Sequence, residues 1–133
     1  MFSPASSPWK VGDSLAVSVQ VTDKMVRQFA ELSGDHNPIH LDDEYAATTR
    51  FKQRIAHGMI CGALISRVLA EKLGAGGIYL AQTMKFIHPV YIDDTIEIRL
   101  TVMALRESKG IGTIETICKN QNGEVCVKGE ATI

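Results

Sequence analysis

From Ser14 to Val21 polar and apolar residues alternate, with Leu15, Val17, Val19 and Val21 on one side, and a period of two predicts a half-buried strand. The period then lengthens. Thr22 suits a helix N-cap, Asp23 the first turn, and Met25, Val26, Phe29, Ala30 and Leu32 recur at helical spacing, so a helix is expected to end near Gly34. Next comes the octet Ser33-Gly34-Asp35-His36-Asn37-Pro38-Ile39-His40. Its proline bars Asn37 from the helical region and brings no N–H, so the octet reads as a loop. Asp42, Asp43 and Glu44 favour a short helix over 42–49.

The polar link TRFKQR (Thr49 to Arg54) leads into HGMICGALISRVLAEKLG, which is apolar on nearly every face and closes with Gly74 at a natural C-cap position. This predicts a long buried helix. Gly58, Gly62, Ala63 and Ser66 make one side of it small, which lets a sheet, another helix or a ligand come close.

From Gly77 the period returns to two, and strands are expected near 78–88, 94–106, 111–119 and 124–133. In the clearest, Ile96, Ile98, Leu100, Val102 and Ala104 alternate with Thr95, Glu97, Arg99, Thr101 and Met103. Asn122-Gly123 signals a hairpin turn. One strand, several helices, one long buried helix and four strands suggest an α+β fold with an antiparallel sheet wrapped around that helix. Residues 1–10, rich in Ser, Pro and Ala, read as a flexible tail, and 11–133 as one domain; 133 residues are too few for two.

Composition narrows the class. With 45% hydrophobic and 22% charged residues the chain reads as an ordinary soluble globular protein. A net charge of -1 without a Lys/Arg block removes the electrostatic footprint of nucleic-acid binding. A basic stretch leading into an apolar one is missing at the start, and Ser66, Arg67, Glu71 and Lys72 interrupt the longest apolar run, so neither a targeting peptide nor a membrane partner is expected. Cys61, Cys118 and Cys126, odd in number and without a CxxC pair, read as reduced thiols of a cytoplasmic protein.

Five groupings could carry chemistry. His36 and His40, with Asp35 beside them and His57 available, have HxxxH spacing, but that spacing presents two metal ligands together only on a helix, which Pro38 opposes. No metal is expected. Ser33 lacks a GxSxG elbow, and no cysteine is near a histidine in sequence, which weighs against a nucleophilic triad. Asp35 and His40 would diverge by ~140° on a helix but can converge in a loop. A carboxylate and an imidazole so placed suit proton transfer. A local Asx-turn with the histidines as polar surface remains the alternative. His57-Gly58 opens the long helix, where unpaired N–H groups can hold an oxyanion, unless Gly58 is simply a glycine near a helix start. Together these two constellations favour proton transfer next to a carbonyl. Arg50, Lys52 and Arg54 could meet an anionic tail such as a phosphate, or form a solvated loop face, and His88-Pro89 looks structural, at a sheet edge.

The run from Phe29 to His40, with Ala46 after it, resembles the hydratase signature of the MaoC-like (R)-specific enoyl-CoA hydratases. Ala47-Thr48-Thr49 and Ala56-His57-Gly58-Met59 resemble the same family, and the likeness extends from about residue 10 to the C-terminus. The resemblance implies a hot-dog fold, a long helix enclosed by a curved antiparallel sheet, in a homodimer with active sites at the subunit interface. It implies reversible syn addition of water to a trans-2-enoyl-CoA, giving the (R)-3-hydroxyacyl-CoA. Asp35 and His40 would be the catalytic pair, Asn37 and His57 their support, and the Gly58 N–H the donor to the thioester oxygen. Gly62, Ser66 and Leu69 are expected to line an acyl slot, and Arg50, Lys52 and Arg54 to face the CoA phosphates. Hydration is redox-neutral, so no cofactor is expected. Rival readings are a 3-hydroxyacyl dehydratase acting on acyl carrier protein, a hot-dog thioesterase, and a non-catalytic acyl-CoA-binding module.

Overall fold

The computed structural model describes residues 9–73 and 77–133, with Leu73 by its backbone alone. The expected cap at Gly74 and residues 1–8 of the expected tail lie outside the described residues. The first strand, β1 (Ser14–Gln20), forms as its alternation predicts. Thr22 then accepts a hydrogen bond from the Met25 N–H and starts helix α1 (Asp23–Ser33), which Gly34 ends in the left-handed region at φ 78°. Val26 and Ala30 are buried on α1, whereas Leu32, assigned by spacing to the apolar stripe, is 84% exposed.

The octet is a loop only in its first half. Asn37 is held extended at φ -54°, ψ 126°, as a residue before proline must be, but Pro38 then occupies the first position of a one-turn helix, α2 (Pro38–Leu41). A proline there sacrifices an N–H that would have had no helical partner anyway. Asp42 caps the following short helix, α3 (Asp43–Ala47). The long helix α4 (Gly58–Leu73) follows.

Five more strands complete the sheet: β2 (Ala81–Gln82), β3 (Lys85–Phe86), β4 (Thr95–Arg106), β5 (Ile111–Lys119) and β6 (Val125–Thr132). The order is β1-β4-β5-β6-β2, with β3 also on β6, and every pairing is antiparallel. Two strands depart from expectation. In β4 the register shifts between Val102 and Ala104, so Ala104 is exposed and Leu105 turns partly inward. The strand expected over 78–88 survives as two short pieces on one register with β6, because at Thr83 the hydroxyl replaces the carbonyl as acceptor for the Glu130 N–H. The hairpin before β6 forms at the expected place, closed by the Gly123 N–H on the Asn120 carbonyl, with Gly123 at φ 77°.

The core lies between α4 and the sheet. Ile60, Cys61, Leu64, Ile65, Val68 and Leu69 make one stripe of α4, packed with Ile96, Ile98, Leu100, Ile114, Cys118 and Val127 from the strands. Burial on nearly every face, expected from composition, is met on the sheet side alone: Met59, Ala63, Ser66 and Ala70 are exposed in the single chain. Trp9, placed in the tail by sequence, is buried in this core, with the Lys72 ammonium 5.7 Å from its ring centroid.

Candidate active site

Ser33 and Asp35 set the first bends of the octet. The Ser33 hydroxyl donates to the Phe29 carbonyl at 2.7 Å and accepts the Asp35 N–H at 3.1 Å, which makes Ser33 a turn residue. Asp35 Oδ1 accepts the Asn37 N–H at 3.2 Å, and Asn37 Oδ1 accepts the Ile39 N–H at 3.2 Å, capping α2. These bends bring Asp35 Oδ2 to 3.9 Å from His40 Nε2. The Asx-turn and the convergence of Asp35 on His40, alternatives in the sequence, are both present and use different oxygens of one carboxylate.

His40 is 9% exposed, and its Nδ1 stands 2.7 Å from the Ile55 carbonyl. A carbonyl only accepts, so Nδ1 carries the proton and Nε2 faces Asp35 with a free lone pair. A gap of 3.9 Å between two acceptors fits one water, which can donate one O–H to each and leave its oxygen lone pairs available. His36 is exposed and stands outside this pair.

His57 locks the arrangement from beneath. It is 3% exposed, its Nε2–H donates to the Asp35 carbonyl at 3.0 Å, and its ring stacks on His40 at 3.9 Å between centroids and 29° between planes. Phe29 closes its other side at 4.8 Å. Asp35, His40 and His57 each offer a ligand atom within 4.8 Å of the others, so a metal ion was tested against the donor set. It does not fit. An ion must lie near the plane of each imidazole it binds, about 2.0–2.1 Å from nitrogen, and two stacked rings offer no such shared point. His57 Nε2 is also committed to the Asp35 carbonyl.

Burial pushes the His40 imidazole below the ordinary histidine value of 6.5, and neighbouring His57 adds to this, while the Ile55 carbonyl and the Asp35 carboxylate oppose it. A histidine with a depressed folded value is neutral at and above pH 6.5 and becomes charged only as pH falls below it. Any reaction needing the free Nε2 lone pair should therefore have the midpoint of its acid limb in kcat/KM below pH 6.5. A pH–rate profile with its acid limb at or above 6.5 would contradict this assignment.

His40 opens onto a cleft of about 400 Å³ whose apolar wall includes Met59, Phe86, Ile87 and Val90 and which reaches Gly58, the first residue of α4. The N–H groups of a first helical turn lack intrahelical partners and carry partial positive charge, so this end of the cleft suits an oxyanion. Backbone pairing fixes it in place: the Ala56 N–H donates to Val90 O at 2.7 Å and the Ile55 N–H to Ile39 O at 3.2 Å. A Cβ added at Gly58 would stand 2.6 Å from Phe86 Cδ1. Phe86 is 57% exposed and can swing aside, so Gly58→Ala should fold, retain its N–H and drive the ring into the cleft. It is expected to lower kcat/KM about tenfold or more, with partial recovery in Gly58→Ala/Phe86→Ala; loss without recovery would show that Phe86 is not the obstacle.

Several expected site residues lie elsewhere. Gly62 lines a separate depression with Tyr79, Gln82 and Met84, whose methyl carbon would stand 3.2 Å from an added Cβ. Ser66 is exposed and Leu69 is sealed in the core at 1%, so one chain brings none of the three to the His40 cleft. Of the small side of α4, Gly58 is covered by Phe86 and Gly62 by Met84, while Ala63 and Ser66 stay exposed.

Arg54 is no phosphate ligand: it is 8% exposed, its Nε–H donates to the His40 carbonyl at 2.8 Å, and its terminal nitrogens meet Asp23 and, at 3.8 Å, Asp43. Lys52 is exposed, and Arg50 lies over Phe51 at the cleft wall. His88, read as a sheet-edge residue, also lines the cleft, with Nε2 2.8 Å from Glu124 Oε2. Phe86 escaped sequence reasoning, and Arg54 and His88 were given other roles by it, because their partners are far along the chain and no local spacing marks them.

Comparison with known proteins places this geometry in a group. The family described as MaoC like domain matches residues 10–123. An (R)-specific enoyl-CoA hydratase of Aeromonas caviae is 42% identical over 125 residues, covering 93% of each chain. The solved (R)-hydratase from A. caviae superimposes with a TM-score of 0.90 over 93% of this chain and 95% of that one, at 42% identity. An R-hydratase of Pseudomonas aeruginosa gives 0.89 at 42% identity, over 93% of this chain and 80% of that one. The helix and sheet described above are thus the hot-dog fold expected from the octet.

Proposed function

The chain belongs to the MaoC-like domain family, and on that premise we propose that it is an (R)-specific enoyl-CoA hydratase, adding water reversibly to a trans-2-enoyl-CoA to give the (R)-3-hydroxyacyl-CoA. The observation that carries this reading is the 3.9 Å gap between Asp35 Oδ2 and His40 Nε2 at an apolar cleft that ends on the first turn of α4. A water in that gap donates to both bases and presents its oxygen to Cβ. As the C–O bond forms, the pair takes one water proton and the thioester oxygen gains charge, which the Gly58 N–H stabilises. The pair then returns a proton to Cα on the same face, so one water is added and both residues are restored. Asn37 and His57 hold the pair in place.

Met59, Phe86, Ile87 and Val90 take the acyl portion in place of Gly62, Ser66 and Leu69. Arg50 and Lys52 remain as cations for the CoA phosphates. Two copies form a dimer across the open face of α4 and the cleft mouth, supported by exposed Met59, Phe86 and Ile87 at 51%, 57% and 58%. Sedimentation at the mass of one 14.5 kDa chain would remove that part. The cytoplasm suits three free, buried cysteines, and no described helix is long and apolar enough to cross a membrane.

The test is direct. Purified protein is given a short trans-2-enoyl-CoA, and loss of the conjugated thioester absorbance is followed with an (S)-specific 3-hydroxyacyl-CoA dehydrogenase present or absent. Loss of absorbance without coupled oxidation is expected. Rapid oxidation would contradict the (R) assignment, and release of free CoA would indicate a thioesterase.

A further inference from the structure

His40 reaches its position through a clamp built by residues 54 and 55. The Ile55 N–H donates to the Ile39 carbonyl at 3.2 Å, His40 Nδ1–H donates to the Ile55 carbonyl at 2.7 Å, and Arg54 Nε–H donates to the His40 carbonyl at 2.8 Å. The last of these is distinctive. α2 is a single turn, so the His40 carbonyl stands at its C-terminal end with no helical N–H to accept from, and a cation is the best partner for such a group. Arg54 is itself held from behind by Asp23, in the first turn of α1, and by Asp43, in the first turn of α3. One buried guanidinium therefore ties the starts of two helices to the end of a third, and the third carries His40.

We propose that Arg54 is a positioning residue for His40: by holding the His40 carbonyl against the Asp23 and Asp43 carboxylates, it fixes the imidazole at the distance from Asp35 that the shared water requires. The planar fork is necessary because Nε and a terminal nitrogen must reach two different acceptors at once. A lysine has three N–H donors, but they leave a single nitrogen, so it cannot match two acceptors set to the separate nitrogens of the fork. The inference rests on Asp35 and His40 being the reacting pair.

Arg54→Lys, which keeps charge and most of the volume, is the first variant. It is expected to lower kcat about tenfold to a hundredfold, the cost of a displacement of about 1 Å at a reacting group, with KM nearly unchanged. Asp23→Ala removes the anchor behind Arg54 from a half-exposed position without opening a buried cavity, and is expected to lower kcat in the same direction by less. In both variants the His40 Nδ1–H resonance, protected in the wild type by the Ile55 carbonyl, should exchange faster with water.

Wild-type kcat in folded Arg54→Lys overturns the proposal. A raised KM at constant kcat also overturns it and returns Arg54 to phosphate binding. If Arg54→Lys fails to fold, Asp23→Ala decides alone, and wild-type kcat there is equally fatal. If the wild-type protein hydrates no enoyl thioester, the reading of the reacting pair has failed, while an unaltered His40 Nδ1–H exchange rate in the variants refutes the positioning claim separately.

Discussion

Asp35→Asn and His40→Ala are each expected to lower kcat for enoyl-CoA hydration by about 10²–10⁴-fold, the usual range for a lost proton-transfer group. Asp35→Asn is the cleaner of the two. The amide oxygen can still accept the Asn37 N–H, as Asp35 Oδ1 does at 3.2 Å, so the octet keeps its bend. The second position then becomes an NH₂ group, which donates where the water needs an acceptor. His40→Ala removes the Nε2 lone pair and also the ring stacked on His57, so some loss of stability should accompany the loss of rate. Because both groups act on one water, the double variant should be little worse than the worse single one. Loss of the conjugated thioester absorbance measures all three, and undiminished turnover in both single variants would end the proposal for this pair.

Features governed by local periodicity were legible in the sequence. β1, α1 with its Thr22 and Gly34 caps, β5 and β6 all follow from spacing within a few residues. The octet was legible as a segment that brings Asp35 and His40 together, although Pro38 was read as a helix breaker and stands instead at the first position of a helix, where its missing N–H costs nothing. Features governed by distant partners were not legible. The shift that exposes Ala104 depends on how β4 meets β5, and the role of Arg54 depends on Asp23, 31 residues away. Gly62, Ser66 and Leu69 share a helical side, but what covers each is a tertiary fact: Met84 meets Gly62, Leu69 is sealed in the core and Ser66 stays exposed.

Gly129→Ala should be the most destabilising single methyl addition in the sheet, because a Cβ there would stand 1.8 Å from the Thr83 carbonyl oxygen. The obstacle is backbone, so no side chain can swing aside, and the strand pieces β2 and β3 must move off β6. That movement breaks the Thr83 N–H bond to the Glu130 carbonyl at 2.9 Å and the Glu130 N–H bond to Thr83 Oγ1 at 3.1 Å. Thr83 and Glu130 are exposed and turn to water when released, so each bond contributes about 0.5–1.5 kcal/mol net, and a total loss of about 2 kcal/mol is expected, or roughly 5–10 °C in Tm for a domain of this size. β2 and β3 pair with no other described strand, so beyond β6 the segment is held by side chains alone, Gln82 on Thr116 and Met84 and Phe86 against α4. The same segment carries Phe86 and Ile87 into the cleft, so hydration should fall along with stability. Thermal unfolding followed by circular dichroism measures the first effect and the enoyl-CoA assay the second. A Gly129→Ala protein with wild-type Tm would mean that Thr83 does not cross β6 at this distance, and with it would go the account of why the strand breaks in two.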